Sequence, residues 1–176
     1  MFQIIDSPPA VYPISIEEAR AHLRVISTDE DSYISSLIPA ATRYCEQYQG
    51  RVYAQRDIIF INDNFISPWR LPLAPVSAIK TLSVGDVTLG ETDCETDFSI
   101  DGLGRVRIFS DVCAGEEVKI TATCGYADVA DTPTPVKQAI LLLVGHLYSN
   151  REAVDDQKMA VLPFGVKELL DLEKVY

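Results

Sequence analysis

Apolar positions along the chain change their period twice. From Ile14 to Gly50 they recur at three- and four-residue steps, from Arg51 they fall into short runs rich in Val, Ile, Phe and Thr, and from Thr134 the helical step returns. Ser15 with Glu18 three residues on is a capping box, which predicts a first helix running to about Arg24. Thr28 followed by Asp29, Glu30 and Asp31 puts an N-cap and negative charge at the start of a second helix. Ile34, Leu37, Ile38, Ala41, Cys45 and Tyr48 form its stripe, and Gly50 closes it as the C′ residue.

The middle of the chain predicts strands over Asp57 to Ile61, Ala78 to Val84, Phe98 to Ile100, Val106 to Phe109 and Val118 to Thr123. Asp101-Gly102-Leu103-Gly104 is a hairpin signal and Gly85-Asp86 a second turn. The proline-spaced stretch from Pro68 to Pro75 cannot run through the centre of a sheet, because each proline removes a ladder donor. It reads as an extended connector or an edge.

Thr134-Pro135 starts a third helix, with proline at the first helical position where its missing N–H costs nothing. Ile140, Leu141, Leu142, Leu143, Val144, Leu147 and Tyr148 cover most of its circumference, which predicts burial on nearly all sides by its own domain or by neighbouring subunits. A polar loop from Arg151 to Lys158 and a short helix from Val166 to about Lys174 end the chain. The fold class is therefore α+β. Helices over about 15–50 and 134–174 form a helical body, and a β-rich antiparallel insertion over about 52–130 lies between them in a single domain, 1–176.

The chain has 176 residues, 47% of them hydrophobic, enough for one core without staples. Its formal charge of −11 argues against tight, sequence-reading nucleic-acid binding, which needs cations for the phosphates. The charge concentrates in the middle, with −7 over residues 76–134. The longest helical apolar run, Ala139 to Val144, is too short to cross a bilayer and no basic leader opens the chain, so no membrane role is expected. Cys45, Cys94, Cys113 and Cys124 are widely spaced and form no zinc pattern with His22 and His146, which predicts reduced thiols in a cytoplasmic product.

Catalytic chemistry finds no support in these residues. There is no phosphate loop, zinc-protease helix motif or nucleophile elbow, and Gly102-Leu103-Gly104 is accounted for by a turn. His22 and His146 read as packed helix residues, Asp29 to Asp31 as charges suited to a helix N-terminus, and Tyr44 with Tyr48 as a core or interface stripe. Glu91, Asp93, Glu95 and Asp97 alternate as they would on one face of a strand and lack the spacing of a calcium loop, so a solvated or partner-facing acidic surface is expected. No catalytic residue, cofactor or metal is assigned.

The ordered set of segments resembles the head-tail connector, adaptor or head-completion, proteins of long-tailed double-stranded DNA phages, prophages and gene transfer agents. The segments are Ser15 to Val25, then Asp29 to Asp31 leading into Ile34, Leu37, Ile38, Ala40, Ala41, Tyr44 and Glu46, then Gly50-Arg51. Leu71-Pro72, Pro75-Val76, Cys124-Gly125-Tyr126, Pro135 to Tyr148, Asn150-Arg151-Glu152, Leu162-Pro163, Gly165-Val166 and Leu169-Leu170 complete it.

That resemblance implies a non-enzymatic virion protein, made in the host cytoplasm, that forms a ring of twelve copies beneath the portal. Its partners would be the portal protein, a tail-side stopper or tail-terminator protein, its own copies, and duplex DNA passing through without specific binding. The apolar strip Val166, Leu169, Leu170 and Leu172, with Tyr176, is expected to meet a partner, as short helices do in grooves. Asp93, Glu95, Asp97, Glu116 and Glu117 are expected to act by repelling DNA or by meeting a basic rim. Two other classes fit the composition less well: an acidic protein-binding module or DNA-mimic regulator, which has no need of an over-apolar third helix, and a small hydrolase, which needs converging titratable groups.

Overall fold

The computed structural model describes residues 2–6, 8–63, 69–90, 94–98, 104–108, 117–151 and 164–172, with the backbone alone at Phe2, over 94–98 and 104–108, and at Phe164. It divides into two compact units. One comprises Val11–Gln49 and Asp128–Tyr176, the other Met1–Ala10 and Gly50–Ala127.

The first unit is helical: α1 (Ile16–Leu23), α2 (Asp31–Gln49), α3 (Thr134–Ser149) and α4 (Phe164–Asp171). The helices from both ends of the chain form one body, as their apolar faces implied, with α2 on α3, α3 on α4, and α1 against both α2 and α3. The capping box is formed: the Ser15 N–H donates to the Glu18 carboxylate at 2.7 Å and the Glu18 N–H to the Ser15 hydroxyl at 3.2 Å. Arg24 ends α1 in the left-handed region at φ 58°. The second helix starts at Asp31, later than the Thr28 cap implied. Residues 27–31 are tied instead by their own turn, in which the Asp29 N–H donates to the Ser27 hydroxyl and the Asp31 N–H to the Thr28 carbonyl.

Buried residues on α2 follow the helical stripe through Ile34, Ile38, Ala41, Cys45 and Gln49, and Pro39 is accommodated within the helix. On α3 the chain itself buries one side, Val136, Ala139, Ile140, Leu143 and Val144, while Leu141, Leu142 and Leu147 are half-buried. The all-round burial expected from the apolar pattern is therefore not reached within a single chain.

The second unit holds two antiparallel sheets. A five-stranded sheet has the order β1-β2-β8-β4-β5, built from β1 (Phe2–Asp6), β2 (Arg56–Asn62), β4 (Val76–Val84), β5 (Val87–Thr88) and β8 (Val118–Cys124). A three-stranded sheet has the order β3-β7-β6, from β3 (Trp69–Arg70), β6 (Cys94–Phe98) and β7 (Gly104–Ile108). Alternation along β2 and β8 sends Ile58, Phe60, Val118, Ile120, Ala122 and Cys124 to the core, where Val52, Leu71, Val76, Leu82 and Val84 join them. At the alternate positions the Asp57 carboxylate of β2 accepts from the Lys80 ammonium of β4 at 2.6 Å and from the Thr123 hydroxyl of β8 at 3.0 Å.

The proline-spaced stretch supplies an edge, as expected: β3 is outermost in its sheet, and Trp69 meets the Phe60 ring edge-on at 6.5 Å. The hairpin placed at Asp101 to Gly104 is consistent with the antiparallel pairing of Phe98 with Gly104, although residues 101–103 lie outside the described set. Gly125 has φ 105°, and a Cβ there would sit 2.6 Å from the Ala54 carbonyl oxygen, so no other residue fits without moving backbone.

Strand β1 was not anticipated. Phe2-Gln3-Ile4-Ile5-Asp6 lacks clean alternation, and its partner β2 lies fifty residues further on, in the register Phe2↔Asn62 to Asp6↔Ile58.

Candidate interaction surfaces

The C-terminal helix divides its apolar residues between two roles. Val166 and Leu170, four apart on one face, have no exposure and pack inside the helical unit. The Leu170 carbonyl accepts a hydrogen bond from the Gln49 side chain, and the Tyr48 hydroxyl donates to Asp171 at 3.0 Å. Leu169 is half-buried and Leu172 is 71% exposed, while Tyr176 lies outside the described residues. The surface that the described part of this segment offers is thus Leu169 and Leu172, held outward by the anchored face.

The acidic set is also divided. Glu117 is exposed at the entry to β8, and Asp93 and Glu116 lie outside the described residues. Glu95 and Asp97 stand in β6 at register positions opposite Arg107 and Arg105 of β7, and Arg105 stands opposite Arg70 of β3. Opposite charges at facing positions of an antiparallel pair stabilise it by roughly 0.2–1 kcal/mol each. Reading the acidic residues along one strand hid this, because which residues face each other is set only when β6 meets β7.

Two polar clusters were missed entirely. At the junction of α2 and α3, the Arg151 guanidinium lies 4.6 Å from the centre of the Tyr33 ring and 5.1 Å from that of Tyr148. It donates to the Glu30 carboxylate at 2.6 Å, and the Tyr148 hydroxyl donates to the same carboxylate. The Tyr148 hydroxyl first, and Arg151 second, hold the Glu30 carboxyl below its ordinary range. Glu30, read as a charge for a helix N-terminus, is therefore a counter-ion for the far end of α3. Asp31 has a similar use, lying 3.5 Å from Arg20 of α1.

In the strand unit, Arg56 makes a forked, buried ion pair with Asp6, Nε to Oδ1 at 2.7 Å and an Nη to Oδ2 at 3.1 Å, and also donates to the Ala54 carbonyl at 3.2 Å. The pair fastens the end of β1 to the start of β2. The sequence signal was one acid at the end of an apolar run, too little to find it.

Cys45 and Cys124 are buried thiols, one in each unit, and desolvation pushes both up to about 12, leaving them without thiolate character at neutral pH. His22 packs where α1 meets α3, its ring within 3.5 Å of where a side chain on Gly145 would begin. His146 accepts two hydrogen bonds at its carbonyl from Asn150, at 3.0 and 2.8 Å, which close α3. Among the described residues no three His, Cys, Asp or Glu side chains converge as a metal site would require, and no helix is long and apolar enough to cross a membrane.

Comparison with known proteins adds a family. A family model described as head completion protein matches residues 13–160, which span parts of both units. Among curated proteins none matches. Among solved structures, a chain in the neck of an empty gene transfer agent (GTA) particle, computed with C6 symmetry, aligns at TM-score 0.80 with 22% identity, over 100% of this chain and 96% of that one. A chain in the neck of the native particle, computed with C12 symmetry, aligns at 0.77 with 21% identity, and one in the virion of the native particle at 0.74 with 21% identity. Each covers 100% of this chain and 96% of its own.

Proposed function

The chain belongs to the head completion protein family, structural proteins of the virion's head–tail junction, and on that premise we propose that its copies form a ring between the portal and the tail. The observation that carries this reading is the family match over residues 13–160, which takes in α1 to α3 and most of the strand unit. The neck symmetries of the similar structures, C6 and C12, support a ring and suit twelve copies.

In this reading the portal protein lies on one side, a stopper or tail-terminator protein on the other, and duplex DNA passes through the middle unheld. The two units act together as one connector domain. The ring works by shape and contact, without catalysis. Half-buried Leu141, Leu142 and Leu147 on α3 suit a helix whose remaining face is covered by a neighbouring protein. Leu169 and Leu172 suit a partner's groove, with Val166 and Leu170 as the anchor that aims them, and Tyr176 keeps its proposed part in the same contact. Asp93, Glu95, Asp97, Glu116 and Glu117 keep their proposed part as acidic surface. Arg107 and Arg105 stand opposite Glu95 and Asp97 in the β6–β7 register, and among the described residues Glu117 is exposed, open to a basic rim or to DNA.

Inactivating the gene tests the proposal. The expected lysate holds DNA-filled heads and free tails that do not join, and supplying the protein restores joined particles. Normal particle yield without the protein contradicts it.

A further inference from the structure

Strand β1 has an unusual place in the chain. Among the described residues its pairing is to β2, at the outer edge of the five-stranded sheet, so its departure leaves the other described strand pairs intact. Among the described elements of the strand unit it is the one that precedes the helical unit in sequence. The connection out of it, residues 8–15, contains no helix or strand and carries Pro8, Pro9 and Pro13, which fix φ and favour an extended, semi-rigid path.

A strand so tied makes the same contacts whichever copy supplies it. The five register pairs from Phe2↔Asn62 to Asp6↔Ile58 and the buried Asp6–Arg56 fork are identical within one chain and between two. Only the linker distinguishes the two arrangements, which is the condition under which identical elements are exchanged. In a ring, a neighbour held alongside offers its β2 edge at an effective concentration on the order of millimolar.

We propose that in the assembled ring β1 of each copy pairs with β2 of the next, so that the ring is closed by exchanged strands. This rests on the ring reading given above. The occupant of the β2 edge is a named segment of a second copy, residues 2–6, and Asp6 supplies the counter-charge that Arg56 needs. Separating two copies then requires drawing a strand out of a sheet and opening a buried ion pair, a contact suited to a ring that retains packaged DNA.

Ile5 and Ile59 face each other across β1 and β2, and Ile5 is 46% exposed. Full-length Ile5→Cys and Ile59→Cys chains carrying tags of different size are co-expressed, assembled on portal and treated with a short bismaleimide. Each variant mixed with wild type controls for the natural cysteines. The expected result is a cross-linked species containing both tags in the ring fraction, absent from the controls. Rings that give no such species, while an Ile5→Cys/Ile59→Cys double variant cross-links within its own chain, overturn the exchange and leave the ring reading standing. A chain that forms no ring with portal overturns both. Gln3→Cys with Ile61→Cys, the neighbouring register pair, repeats the test should the first pair fold poorly.

Discussion

The two ends of the chain are each returned to a body built from residues far away in sequence, and different physics holds them there. Helix α4 is held by two apolar side chains, Val166 and Leu170, with the Gln49 and Tyr48 hydrogen bonds fixing its turn. Strand β1 keeps Ile4 and Ile5 partly exposed, at 37% and 46%, and is held by its ladder and by the buried Asp6–Arg56 fork. An apolar anchor tolerates any partner of similar volume. A buried ion pair tolerates none that lacks the opposite charge, so it specifies which strand lies on β2 even where it adds little net stability.

Removing one partner of that pair is expected to have the largest effect. Arg56→Ala leaves a buried carboxylate uncompensated, and urea unfolding is expected to show a loss of about 3–5 kcal/mol. Arg56→Met combined with Asp6→Leu is expected to recover most of it, because the desolvation penalty goes with the charges. Recovery in the double variant separates the specificity of the pair from its stability.

At the other end, Leu170→Ala is expected to cost about 2–5 kcal/mol through the cavity it leaves, whereas Leu172→Ala, on an exposed side chain, is expected to stay within about 0.5 kcal/mol. Leu172→Ala is instead expected to weaken capture by portal. Equal destabilisation by the two would contradict the division of the helix into an anchored and a presented face.

Each unit carries an internal reporter for this comparison. With both thiols near 12, only about one in ten thousand is ionised at pH 8, so Cys45 and Cys124 are expected to resist maleimide in the native chain. Peptide mapping after labelling is expected to show Leu170→Ala speeding modification of Cys45 more than Cys124, and Arg56→Ala the reverse.

How legible these features were follows their range along the chain. The capping box at Ser15 and Glu18, the left-handed Gly50, the edge character of Trp69-Arg70 and the Gly85-Asp86 turn are decided by neighbours a few residues apart, and all were readable. The clusters that join distant segments within each unit were not. Asp6 and Arg56 are 50 residues apart and Glu30 and Arg151 are 121 apart, and nothing local marks either acid as a counter-ion. The pairing of Glu95 with Arg107 and Asp97 with Arg105 depends on strand register, which exists only once the strands meet. The apolar excess of α3 was legible as composition, yet which of its leucines remain half-buried depended on where α2 and α4 lie against it.

The smallest expected effect is at Glu30. A carboxyl whose folded pKa is lowered contributes stability that is fully present above its ordinary value of 4.5 and is lost as pH falls through the folded value. Thermal melts are therefore expected to show a constant small deficit for Glu30→Gln from pH 7 down to about 4.5, closing below it. The deficit is small because Arg151 and Glu30 are 53% and 38% exposed, so water and salt screen the pair.

Cryo-electron microscopy of the assembled particle shows whether the chain lies where this reading puts it. Both units are expected to fit a ring of density at the head–tail junction, with DNA in its lumen and the surface around Leu172 against a neighbouring protein. Complete, infectious particles whose neck contains no density for this chain would contradict it.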